Sequence, residues 1–222
     1  MFNVKNSLKI ATAISLSVLA YTTTLQAVDD SSSSSANLKM VKDSKLLKTY
    51  IKEGVNLGSY KSVMMTESKV SFKDGWLKRY NQNQRSSSQK LSTKDADKVK
   101  QRIEDQFQVS FPKYLHVNAG YSMVKSAGEK TLLLKAIISD LVVNGPDNQS
   151  ASFTEIWVKQ VGSATLTLEI YDAKSNELLG KIISKDETTD NHRLIRTNRV
   201  MNRSAFIHVY NRWARDLINF IQ

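Results

Sequence analysis

Apolar and polar positions alternate most cleanly between Ala164 and Tyr171. There Ala164, Leu166, Leu168 and Ile170 interleave with Thr165, Thr167, Glu169 and Tyr171. A period of two predicts a strand with one buried and one wetted face. Asp172 to Glu177 turns the chain, and Leu178 to Ile183 returns as the second strand of a hairpin. Upstream, Thr131 to Val143 (TLLLKAIISDLVV) is the most apolar run beyond the amino terminus. It is long enough for a helix, but its Ile and Val content predicts a central strand buried on both faces. The turn residues Asn144-Gly145-Pro146-Asp147-Asn148 close it. Tyr60 to Thr66, Tyr121 to Val124 and Phe153 to Val158 read as further strands.

Helical spacing marks other segments. Ala96, Val99, Ile103 and Phe107 recur at steps of three and four, behind a capping-box pair, Ser92 and Asp95. Pro112 is expected to end or kink that helix. A second stripe, Phe206, Val209, Tyr210, Trp213, Leu217 and Phe220, predicts a final helix from about Ser204, after a polar, mobile connection over 184–203. Trp76 and Tyr80 stand at helical spacing after a Lys-Asp-Gly turn. Between Leu38 and Tyr50, Leu38, Val41, Leu46 and Leu47 alternate with lysines, which suggests an amphipathic helix docking on the domain or on a partner. The order of elements predicts an α+β fold: a single mixed or antiparallel sheet of about five strands, with two main helices packed on one face.

The amino terminus has a different pattern. Lys5 and Lys9 precede an apolar run from Ile10 to Ala20, and Leu25-Gln26-Ala27 offers a small residue for cleavage. This is the layout of a secretory signal peptide, and the run is too short for a permanent span. The expected organisation is a signal peptide over 1–27, a leader over 28–54 containing the serine run Ser31 to Ser35, and one α+β domain over 55–222. Removing residues 1–27 leaves 222 − 27 = 195 residues and a formal charge near 11 − 2 = +9. In an exported protein such charge suits phospholipid headgroups, cell-wall polymers or an acidic protein face rather than nucleic acid. The chain has no cysteine, which excludes disulfides, thiolate metal sites and the lipid-acceptor thiol of a lipoprotein.

Several segments, taken in order, resemble a known family. They are YKSVMM followed by VSFKDGWLKRYN, then GYSMVKSAGEKTLLLKAIISDLVV, then GSATLTLEIYDAKSNELLGKII, and last the aromatic helix around Phe206 and Trp213. Over about 55–222 the chain is similar to bacterial domain-of-unknown-function family 3313, mostly predicted envelope lipoproteins. The resemblance implies location and fold; that family carries no established chemistry. The chain departs from it at Ala27-Val28-Asp29, where a lipoprotein has its cysteine.

Candidate chemistry is sparse. His116, His192 and His208 have no partner at zinc-ligand spacing, no Gly-x-Ser-x-Gly elbow occurs, and no glycine loop would cradle a phosphate. No cofactor or metal is expected. Asp140 interrupts the apolar strand, where a charge is costly unless paired or at an edge. Arg193, Arg196, Arg199 and Arg203 would share one face if their segment were helical, beside Leu194, Ile195, Val200 and Met201. Trp76 and Tyr80 suit either burial against the sheet or an exposed platform for sugars or a partner loop. The expected function is therefore a non-enzymatic binding or scaffold subunit of an envelope protein assembly. It would be periplasmic, associated with the outer membrane through protein partners, with no span after signal cleavage. The alternative is a soluble binder of anionic cell-wall or lipid components.

Overall fold

The computed structural model describes residues 37–84, 86–146, 156–188, 194–197 and 199–222. The expected signal peptide, the serine run, Asp147, Asn148, Phe153, His192 and Arg193 lie outside them. In chain order the elements are β1 (Leu38–Asp43), β2 (Leu47–Lys52), β3 (Ser62–Met65), β4 (Lys69–Phe72), α1 (Trp76–Gln82) and α2 (Thr93–Ala119). There follow β5 (Ser122–Met123), β6 (Thr131–Val143), β7 (Ile156–Val158), β8 (Gly162–Asp172), β9 (Leu178–Glu187), β10 (Ile195–Thr197) and α3 (Arg199–Ile221).

The fold is mixed α+β, built on one large sheet. Its order is β1-β2-β9-β8-β6-β3-β5, with β4 also paired to β6. The hydrophobic run 131–143 is the central strand, as its composition predicts, but it is not buried on both faces: Ile137 and Asp140 are exposed, because the described helices pack on one side of it only. β8 and β9 form the expected antiparallel hairpin beside it. On the other side of β6 two short strands lie in tandem, both parallel to it: β3 against Thr131 to Leu134 and β4 against Ile137 to Leu141. β7 and β10 form a separate antiparallel pair.

The described sheet has eight strands rather than about five, and three helices rather than two. The surplus comes mainly from short elements, too brief for periodicity to reveal. One of them overturns an expectation outright. Residues 38–52 are a β-hairpin, not an amphipathic helix, and β2 pairs with β9, so the sheet continues across position 54. Leu47, Thr49 and Ile51 point every second residue toward the core, a strand period. A register shift between Met40 and Lys42 breaks the alternation in β1 and hides it from a sequence reading.

α2 starts at the predicted capping box: the Ser92 hydroxyl accepts from the Asp95 N–H at 3.2 Å, and the Asp95 carboxylate accepts from the Ser92 N–H at 3.2 Å. It does not end at Pro112. Phe111 and Leu115 continue the buried stripe of Ala96, Val99, Ile103 and Phe107, and their burial outweighs the one backbone bond that proline removes. The helix stops at Gly120, whose φ of 71° an L side chain rarely adopts. α3 starts at Arg199, earlier than expected, because β9 runs on to Glu187 and β10 occupies 195–197 of the supposed mobile connection. α2 and α3 cross the same sheet face. Phe107 meets Tyr210 edge-on at 5.5 Å and Trp213 at 6.2 Å, and all three are fully buried.

Candidate interaction surfaces

Strand parity divides the sheet side chains into two sets. Leu132, Leu134, Ala136 and Ile138 of β6 join Leu166, Leu168, Ile170 and Ile182 in the core under α2 and α3. The residues between them face the other way, and among the described residues no helix covers that face. In register order one row reads Ile137, Thr167, Ile183, Lys48, and the next reads Lys135, Glu169, Lys181, Tyr50. Ile137, on the central strand, is 43% exposed. Leu133 and Leu178 are buried yet stand outside the helix-side core; Tyr171 is the register partner of both.

The charges on this face are held in a lattice. Glu169 accepts from Tyr171 Oη at 2.8 Å and from Lys181 Nζ at 3.4 Å, and Lys135 Nζ lies 4.1 Å from the Tyr171 ring centre. The open face therefore carries an apolar centre within ordered lysines. Asp140, which interrupts the apolar run, turns outward at a bulge in β6 with φ 53°; Thr165 Oγ1 donates to it at 3.5 Å.

Arg193 lies outside the described residues, and the other three arginines do not share a helix face. Arg196 lies in β10, opposite Trp157 of β7, whereas Arg199 and Arg203 lie in the first turns of α3. Of the apolar strip beside them, Leu194 and Val200 are exposed. Arg203 is an exposed residue at a cleft of about 210 Å³ between α2, the end of β6 and α3, lined also by Arg102, Ile103, Asn202 and Phe206. In that cleft Asn202 Nδ2 donates to the Gly145 carbonyl at 2.6 Å, and Asn202 Oδ1 is buried with no hydrogen-bond partner among the described residues.

Trp76 and Tyr80 are core residues, 5% and 7% exposed, and do not form a surface platform. Phe72 stacks on Trp76 at 4.1 Å, and the indole N–H donates to the Val143 carbonyl at 3.2 Å, which ties α1 to the end of β6. The sequence pattern allowed this alternative, and a Lys-Asp-Gly turn that aims a short helix back at the sheet leads to it.

A model of the family described as "Protein of unknown function (DUF3313)" matches residues 30–217. The chain belongs to the DUF3313 family. Solved structures similar to this DUF3313 chain include a point variant of the PelC dodecamer from Paraburkholderia phytofirmans, with 7% identity and a TM-score of 0.34 over 75% of this chain and 95% of that one. They also include a putative neuraminyllactose-binding hemagglutinin homolog from Helicobacter pylori, with 13% identity and a TM-score of 0.27 over 73% of this chain and 83% of that one. No curated protein matches.

Among the described residues of this DUF3313 chain, no group of three or more His, Asp or Glu is placed to hold a metal ion, and no helix is long and apolar enough to cross a membrane. His116 Nδ1 is 2.9 Å from the Tyr121 carbonyl, a contact that joins the end of α2 to the start of β5, and His208 is exposed on α3. The perturbed acids have structural causes. Burial raises the Asp216 carboxyl above its usual range, although the Ser184 hydroxyl donates to it at 2.9 Å. Backbone donors, Ser175 N–H first, hold Asp172 below its usual range, with help from the Tyr60 hydroxyl at 2.9 Å. Burial, then Asp172, push Tyr60 up to about 12. Tyr60 and Asp172 share one open cleft with Glu129, Lys174 and Glu177, where they secure the β8–β9 turn, and Asp216 lies apart from them on α3.

Proposed function

We propose that this protein is an exported, non-enzymatic binding or scaffold subunit of an envelope protein assembly, periplasmic and held at the outer membrane through protein partners. One observation supports it above the others: the central strand of an eight-stranded sheet presents Ile137, 43% exposed, on a face that no described helix covers. A sheet face left to water favours polar residues at such central positions. Here Ile137 and Ile183 sit in one row with Thr167 between them and Lys48 at its end, and the next row on that face brings Lys135, Glu169, Lys181 and Tyr50. An apolar centre within a polar rim is the anatomy of a protein interface. Steering by the basic charge and affinity from the apolar row are separate contributions, and only the first weakens with salt.

The test is affinity purification of the tagged protein at native level from gently solubilised envelopes, followed by mass spectrometry. The expected result is a fixed set of envelope proteins that survives added salt and is lost with Ile137→Thr plus Ile183→Thr. Recovery of the protein alone in the soluble fraction ends the proposal.

A further inference from the structure

The β1–β2 hairpin forms one edge of the sheet, and its outer strand is almost wholly in solvent: from Lys39 to Asp43 every residue is exposed. Three large apolar side chains stand out within seven residues, Met40 at 45%, Val41 at 62% and Leu46 at 57% exposed. Lys39, Lys42 and Lys45 are interleaved with them. Asp43, the one acid between Leu38 and Lys52, is held by Lys48 at 3.2 Å. Lys42 lies within electrostatic reach of Asp216, and Lys39 and Lys45 have no ion pair among the described residues.

An exposed edge strand normally invites another strand. This one is protected against that: the bulge at Val41 breaks the ladder, and lysines line it, both devices that block edge pairing. The apolar side chains must therefore serve a partner that needs no backbone register. We propose that the hairpin docks the protein on an anionic lipid surface, with Met40, Val41 and Leu46 entering the headgroup boundary and the lysines meeting the phosphates. Apolar insertion combined with basic charge is how a peripheral segment holds a bilayer without spanning it. The chain has no cysteine to carry a thioether lipid. Met40 stands beside Tyr50 at the edge of the open face, and the lipid contact uses neither Ile137 nor Ile183, so failure of that row to hold a partner would leave the hairpin's lipid affinity untouched.

The test is co-sedimentation of residues 28–222, which keep every described element and lack the apolar run Ile10 to Ala20, a lipid binder in its own right. The probes are vesicles of phosphatidylcholine alone and vesicles with about a third phosphatidylglycerol. Binding is expected only to the second. The variants Val41→Asp/Leu46→Asp and Lys39→Gln/Lys42→Gln/Lys45→Gln, with unchanged thermal midpoints, should each lower the partition coefficient roughly tenfold or more. Equal sedimentation with both vesicle types, or variants that sediment like the parent, overturns the proposal. Loss in the lysine variant alone also overturns it, since that is simple polyanion binding.

Discussion

Two adjacent rows of the same sheet show how differently its faces are specified. Ala136, Leu168, Ile182 and Thr49 lie side by side across four strands, with exposures of 3, 0, 0 and 4%. One residue further along, Ile137, Thr167, Ile183 and Lys48 make the neighbouring row, none of them buried and Ile137 43% exposed. The backbone ladder is shared, so the difference lies wholly in what each face meets. The covered row is constrained by volume, because α2 and α3 leave no space. The open row is constrained by neither volume nor polarity alone, and its mixture of isoleucine and lysine is what sets it apart from an ordinary wetted face.

Breaking the covered side should cost most. Trp213→Ala removes a ring packed against Phe107 and Tyr210, and should lower unfolding stability in urea by about 3–5 kcal/mol. Gly162→Ala tests the fit at the sheet's end. An added Cβ would stand 2.1 Å from the Val142 carbonyl oxygen and 2.9 Å from the Phe206 ring, for a loss of roughly 1–3 kcal/mol with an unchanged denaturant slope. On the open side, Ile137→Thr should change stability by only about 0.5 kcal/mol while weakening partner capture. A Thr that costs as much as a core truncation would mean the face is covered after all.

The smallest effects distinguish two aspartates by sign. Burial raises Asp216 above its ordinary 3.8, so between the unfolded and folded values the native state keeps a proton that the unfolded chain has lost. Stability therefore falls as pH rises through that window, and Asp216→Asn should flatten the slope. Backbone donors lower Asp172 below 3.8, so its contribution is present above that value and is lost as pH falls through the folded one. Asp172→Asn should remove that acid-side loss. Thermal midpoints on both sides of pH 3.8, from about pH 2 to about pH 6, separate the two.

The sequence was most legible where one physical constraint dominated a long segment. The alternation from Ala164 to Tyr171, the apolar run of β6 and the stripes of α2 and α3 all report contact with a single core. It was least legible where segments were short or locally irregular. β4 has four residues, and the bulge at Val41 disguised β1 as part of a helix. Pro112 does not end α2, because the burial of Phe111 and Leu115 on either side outweighs its local penalty. The arginines misled in another way: β10 pairs with β7, a partner that helical spacing cannot anticipate. The open face followed from none of these patterns. Alternation shows that a strand has two faces, but only the placement of the helices shows which one remains bare.

The route of the chain through the sheet also decides when it can close. β2 lies beside β9, β3 beside β6, and α3 supplies Tyr210, Trp213 and Leu217 to the core only at the very end. Without α3, only α2 of the two long helices would cover that apolar face. Closure of that core therefore depends on contacts of long sequence separation, which close later than local ones and leave apolar surface open until they form.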